Sequence, residues 1–405
     1  MVLHAFDKRL LEFIYRLTLH KKLMNSREMA QNITIRGKKV SERTIKRWLK
    51  HLRENHYFTY HLSIKFERLG LSSVALTVYG LRNPALLDVI PYKIYLMKGV
   101  DFRTHQECFF VNYKIPNEMF QEFCNFWRDA KSRKLIEDFT VFKVKHVTAL
   151  YSPFHEMISS NGTIKAIKTC DDRFINLLKD NLHNERKTKF SAPFVVLTAA
   201  EYLKDFASPR KIWERLNEKF GEDVCYLPKK CPSVKGLKIR KNTIGVGVSC
   251  IQQVLKYLHE NSEDFLQQIR IAYGPLYREN INLQFILKLK DEQTLLELIR
   301  TISKKSLHVV VYCLDPRNLF TIELVTNGKL VADVFMDISK AMLKTRVNRA
   351  ILFDYADSSN FWEGKTKGWL KQHYHKLFDP KTTSWKYDSR KYLQELDRLS
   401  VKSRE

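Results

Sequence analysis

At 405 residues the chain is too long for one ordinary core, and two to four domains are expected. A hydrophobic content of 44% is enough for packed domains and excludes wholesale disorder. Against 44 Asp and Glu it carries 70 Lys and Arg, a formal net charge of +26, which favours polyanionic partners, nucleic acid before anionic membrane.

Residues 1–70 read as helical and basic, with 16 Lys and Arg less 6 Asp and Glu leaving +10. Phe6, Leu10, Phe13, Ile14 and Leu17 recur at helical spacing, so a first helix buries one face. Ser26 begins a second, with Met29, Ala30 and Ile33 inward. A basic loop over 34–40 carries Arg36, Lys38 and Lys39 around Gly37. Ser41 then caps a third helix through its hydroxyl, with Thr44 three residues on. Its core face is Ile45, Trp48, Leu49 and Leu52; its other face is charged. The stretch 57–64 alternates like a short wing hairpin.

Residues 72–147 change character. Val74, Leu76 and Val78 alternate as a strand, Asn83-Pro84 starts a short helix, and strands follow near 94–100 and 108–115. Asn117 is expected to cap a helix burying Phe120, Phe123, Phe126 and Trp127, and Phe139, Val141 and Val144 make a last strand. The order β-α-β-β-α-β is that of a split βαβ, or ferredoxin-like, unit. Residues 281–353 repeat it. Between the two units, 170–265 again reads as mainly helical. The tail 356–405 is rich in Trp, Tyr, Lys and His, too aromatic for a plain linker.

The two halves also echo each other locally. Leu49-Lys50-His51-Leu52-Arg53-Glu54-Asn55 matches Leu255-Lys256-Tyr257-Leu258-His259-Glu260-Asn261, and a Val-Ser pair (Val40-Ser41, Val248-Ser249) introduces each stretch. The expected class is therefore α+β: two helix-turn-helix (winged) modules at 1–70 and 170–270, alternating with two ferredoxin-like βαββαβ modules at 71–150 and 280–355, then the tail.

Residues 7–70 resemble the N-terminal half of the Lrp/AsnC family of transcription regulators. The resemblance rests on Asp7-Lys8-Arg9-Leu10-Leu11, Ser26-Arg27-Glu28-Met29-Ala30, Val40-Ser41-Glu42-Arg43-Thr44 and Arg47-Trp48-Leu49-Lys50-His51-Leu52. It covers nearly all of 1–150 and, more weakly, 170–355. It implies a ferredoxin-like (RAM-type) effector and oligomerisation domain after each helical module. The family unit is a single such pair, so the resemblance implies two units pairing as an intra-chain pseudo-dimer or a homodimer. Only Gly99-Val100-Asp101 approaches the family's ligand loop and Leu314-Asp315-Pro316 does not, which leaves a small-molecule effector open.

The residues suit double-stranded DNA. A recognition helix in the major groove presents its first turns to base edges, and Arg can fork onto guanine. Ser41, Arg43, Thr44 and Arg47 would lie nearest the groove, with Lys46, Lys50, Arg36, Lys38 and Lys39 on flanking phosphates. A possible second set is Ser249, Gln252, Gln253 and Lys256, with Lys238, Arg240 and Lys241 from the preceding loop. The alternative reading is an RNA-binding or RNP assembly protein stacking bases on Phe109, Phe110, Tyr113 and Phe320.

No phosphate-binding Gly-rich lysine motif and no His-Glu-x-x-His occur, so no catalytic residue is assigned and an enzyme is not expected. Seven scattered cysteines without Cys-x-x-Cys fit a reducing compartment. Cys225 and Cys231 with His183 or His259 do not have zinc-hairpin spacing, so neither metal nor cofactor is expected. No stretch approaches about 18 apolar residues and the N-terminus is not a signal peptide, which gives a cytoplasmic protein without a membrane partner.

Overall fold

The computed structural model describes residues 7–20, 24–54, 58–64, 70–101, 104–160, 162–168, 170, 172–183, 197–198, 201–202, 208–221, 248–260, 266–273, 281–315, 318–342, 347–353, 374–379, 381–382 and 384–402. Over these the chain is α+β, and its strand pairings are antiparallel.

Asp7 opens α1 (Lys8–Thr18) by accepting from the N–H groups of Arg9 and Leu10. A capping box formed by Asn25 and Glu28 opens α2 (Ser26–Asn32). The expected loop after α2 is a small hairpin, β1 (Thr34–Ile35) and β2 (Lys38–Lys39). Its two turn residues, Arg36 and Gly37, sit at φ +51° and +74°, as tight hairpin turns require. Ser41 caps α3 (Glu42–Glu54) as expected, its Oγ accepting from Thr44 N–H at 3.3 Å. Trp48 packs on Phe13 with ring centroids 5.2 Å apart, tying α3 to α1. Burying one such ring is worth about 1.5–3 kcal/mol.

β3 (Phe58–Ile64) follows, then β4 (Leu71–Tyr79), a 3-10 turn (Pro84–Asp88), β5 (Lys93–Asp101), β6 (Glu107–Pro116), α4 (Phe120–Ser132) and β7 (Asp138–Tyr151). The middle of the chain gives α5 (Phe154–Met157), α6 (Asp172–His183), α7 (Pro209–Phe220), α8 (Val248–Glu260) and β8 (Leu266–Tyr273). The second half holds β9 (Ile281–Lys288), α9 (Glu292–Ile302), β10 (Ser306–Leu314), β11 (Leu319–Thr326), α10 (Val331–Met342) and β12 (Val347–Phe353). The tail gives β13 (Phe378–Asp379), β14 (Ser384–Trp385) and α11 (Ser389–Lys402).

Each half lays its strands side by side in the order fourth, first, third, second: β7-β4-β6-β5 and β12-β9-β11-β10. The two sheets then join at both edges, β7 to β10 and β12 to β5, closing one barrel. Helices cover its outside. Leu76, Val78, Val111 and Tyr113 face Phe123, Phe126 and Trp127 of α4, all buried in one cluster. On the other half Phe285 of β9 meets Phe335 of α10 at 5.4 Å between ring centroids. Because side chains alternate along a strand, the neighbours of these residues point into the lumen.

Two sequence expectations need correction. The stretch expected to form a wing does not fold back on itself. β3 pairs with β8, the strand after α8, in register from Phe58↔Tyr273 to Ile64↔Leu266. Asn117 makes no side-chain cap. It starts a 3-10 turn, and its Oδ1 accepts from Ser72 Oγ at 2.7 Å. The described residues of the aromatic tail also pack into the core. Tyr92 stacks on Tyr387 at 5.9 Å and meets Trp385 at 6.3 Å, while Tyr392, Leu396 and Leu399 join the α4, α7 and α8 cluster. Lys219 of α7 and the Tyr374 hydroxyl both reach the buried carboxylate of Glu201, the latter at 2.6 Å.

Candidate functional site

The structure places the described sequence-derived site residues on the β1–β2 hairpin, α3 and α8. Arg36 occupies the β1–β2 turn; its N–H donates to the buried carboxylate of Glu12 at 3.2 Å, and its side chain is exposed. Lys38, Lys39, Arg43 and Arg47 are exposed. The others are engaged locally. Ser41 Oγ lies 3.0 Å from Thr44 Oγ1, Lys46 pairs with Glu42 at 2.7 Å and Lys50 with Glu54 at 3.6 Å. Lys46 and Ser26 together hold the Glu42 carboxyl below the usual carboxylate range. On α8, Ser249, Gln252, Gln253 and Lys256 are exposed, and Lys256 approaches Glu260 at 4.0 Å. Lys238, Arg240 and Lys241, like Cys225 and Cys231, lie outside the described residues.

Polar groups do converge inside the barrel. Gln284 of β9 is fully buried, and neither its Nε2 nor its Oε1 has a hydrogen-bond partner among the described residues. Thr321 of β11 is also fully buried, and its Oγ1 is in the same state. The register places Glu323 directly opposite Gln284, with Thr321 two residues away on the same strand. Tyr312 stands opposite Thr321, and its hydroxyl donates to Glu323 Oε2 at 3.0 Å. From the other half, Tyr79 donates to Asp101 Oδ2 at 2.8 Å, and Asp101 is 1% exposed. Asn112 and Thr77 are buried on the inner face of β6 and β4. Phe110 and Tyr312 meet across the lumen at 6.3 Å, one ring from each half. Glu323 is nevertheless only half-buried.

This wall has chemical consequences. An unpartnered buried amide costs about 1–3 kcal/mol, and a fold that keeps one has a use for it or holds water there. The two phenol–carboxylate pairs, Tyr79–Asp101 and Tyr312–Glu323, are groups able to exchange protons with a molecule bound beside them. Sequence reasoning missed the site because the polar inner positions of an alternating strand read as a solvated face. The only signal was their kind: Gln284, Thr321 and Asn112 are amides and a hydroxyl, where a solvated face is usually charged.

No protein-family model matches the chain, and no curated protein does. Two solved structures are similar, both of the siroheme decarboxylase NirDL. One shares 14% identity and a TM-score of 0.41, covering 99% of this chain and 100% of that one. The other, in co-complex with an iron-uroporphyrin III analogue, shares 14% identity and a TM-score of 0.40, covering 87% and 91%.

These findings correct the sequence reading. The matching structures are of an enzyme, not a transcription regulator. The assignment as an Lrp/AsnC-family, DNA-binding, non-enzymatic regulator is therefore withdrawn, since one architecture hosts unrelated activities. The RNA alternative falls as well. Phe110, Tyr113 and Phe320 are buried and Phe109 is half-buried against the core, because the sheets close into a barrel and offer no open face for stacking. Likeness at this distance assigns no residue role and no substrate. Among the described residues no helix is long and apolar enough to cross a membrane.

Proposed function

We propose that the chain is a small-molecule-binding protein whose ligand site is the lumen of the barrel. Its two copies, each a helix-turn-helix module followed by a ferredoxin-like module, form an intra-chain pseudo-dimer. The strand order of each half and the β3–β8 pairing support that arrangement. In this reading the pseudo-dimer exists to enclose the lumen, because neither half-sheet alone surrounds Gln284. The ligand is polar and small, and the two phenol–carboxylate pairs provide proton transfer on it. The helical modules brace the barrel from outside: Tyr15 of α1 packs edge-on against Phe154 of α5, just after β7.

The observation that carries the proposal is Gln284, fully buried with both amide atoms unpartnered among the described residues. The test is a ligand-observed NMR screen of small neutral, cationic and anionic fragments against the full chain and its Gln284→Leu variant. Hits that bind the native chain and are lost in the variant support the lumen site. Hits that persist unchanged place binding elsewhere and remove the proposal.

A further inference from the structure

Resting on that reading of the lumen, we infer that the ligand is an uncharged planar molecule presenting an amide edge, a hydrogen-bond donor and an acceptor side by side. The inference comes from what Gln284 offers. Its carboxamide has an acceptor oxygen and an N–H donor on one edge, and both lack partners among the described residues. One ligand group satisfies both atoms at once: a second amide-like edge, which closes two hydrogen bonds against it. An anion would satisfy Nε2 and leave Oε1 facing negative charge, on a wall that already holds the Glu323 and Asp101 carboxyls. A cation would satisfy Oε1 and leave the Nε2 donors facing positive charge.

Thr321 completes the site. Its hydroxyl both donates and accepts, and it too is fully buried without a partner among the described residues. It is two residues from Glu323, the register partner of Gln284, and so lies diagonal to the amide on the same wall. Aromatic rings stand beside it. Tyr312 stands opposite Thr321, and Phe110 meets Tyr312 from the other half with planes inclined by 68°. Aromatic faces beside a lone amide suit a ring that carries the complementary amide. Among the cations whose side chains are described, those that register places on the inner face lie away from this level, while on β12 the register sets Arg349 opposite Ile286. Lys114 donates to Ser73 Oγ at 2.6 Å, and Lys288 is exposed at the end of β9.

The experiment uses four near-isosteric probes, benzamide, acetophenone, benzoate and benzylammonium, titrated into the full chain by calorimetry and saturation-transfer NMR. Benzamide is expected to bind. Acetophenone keeps the acceptor but lacks the N–H donor, and is expected to bind about 10-fold more weakly, with the two ions weaker still. Gln284→Leu and Thr321→Val are each expected to weaken benzamide about 10-fold while circular dichroism stays native. Two substitutions keep the test valid should one variant misfold. Equal binding of all four probes, tighter binding of either ion, or no saturation transfer from benzamide at about 10 mM overturns the inference. An ion that binds and depends on Gln284 overturns the ligand class while leaving the lumen site standing. Binding of every probe unaffected by either substitution removes both.

Discussion

The backbone of Phe58 is paired with that of Tyr273 across an antiparallel ladder, although 215 residues (273 − 58) separate them. That ladder joins the strand after α3 to the strand after α8, the two places where the seven-residue echo ends. A repeat that was only an echo in sequence is thus a contact in space. Proline cannot donate into a ladder and fixes φ. Leu62→Pro or Ile269→Pro, which are register partners, should each lower stability by about 1–2 kcal/mol through lost hydrogen bonds. The second substitution should cost little once the first has broken the pairing. Urea unfolding of both single variants and the double variant checks this, and full additivity would speak against the ladder.

Glu201 anchors the tail. It is fully buried, with Lys219 as ion-pair partner and the Tyr374 hydroxyl at 2.6 Å, and burial beside it pushes the Tyr374 phenol well above its usual value. Glu201→Ala strands the Lys219 ammonium and should cost about 3–5 kcal/mol. Tyr374→Phe removes one charge-assisted hydrogen bond and should cost about 1.5–3 kcal/mol. Both variants should make the segment after residue 373 more sensitive to limited proteolysis; unchanged cleavage would contradict the anchor.

Two glycines at positive φ should respond differently to alanine. At Gly37, φ is +74° and a Cβ would meet open space, so only backbone strain of about 1 kcal/mol is expected. At Gly80, φ is +58° and a Cβ would overlap the side chain of Glu137, so the cost adds a clash and should exceed that of Gly37→Ala by about 1–3 kcal/mol. Thermal unfolding of the two variants ranks them directly.

His155 makes the junction of α1 with α5 sensitive to pH. Burial lowers its pKa below 6.5; Glu12 and Glu156 oppose that shift, while Arg16 and Lys8 reinforce it. Tyr15 also lies against it, with ring centroids 5.8 Å apart. The unfolded chain therefore takes up this proton more readily than the folded one. The contribution of His155 is present above about pH 6.5 and is lost as pH falls through its lower folded value. Urea midpoints between about pH 8 and 5.5 should fall more steeply for the native chain than for His155→Gln. Equal slopes would show that His155 is not the source.

Much of the scaffold was legible in sequence because it is written in local signals. Ser41 caps its helix as its position implied, and Asn83 opens its turn. The order β-α-β-β-α-β is observed over β9–β12, while between β4 and β5 a 3-10 turn stands where the first helix was expected. What could not be read was how strand edges find each other. Nothing local in Val144–Tyr151 says that this stretch continues past its own sheet to pair with β10, or that β12 pairs with β5. Without that closure, nothing marked Gln284 and Thr321 as enclosed, and the basic face of α3 was the most conspicuous chemistry in view. Charge is visible in a sequence; enclosure is not. The aromatic tail was noticed for its composition, but its partner, Tyr92, lies 295 residues before Tyr387 (387 − 92).

The central claim is that Gln284 is held unpartnered in the lumen for a ligand and not for the fold. It is tested most directly by the unfolding free energy of Gln284→Leu without any ligand. Replacing a buried, unsatisfied amide by an apolar side chain of similar size should leave stability unchanged or raise it by about 1–3 kcal/mol, with probe binding lost. A loss of about 1 kcal/mol or more would show that the amide is satisfied in solution and serves the structure, and the lumen would no longer stand as the functional site.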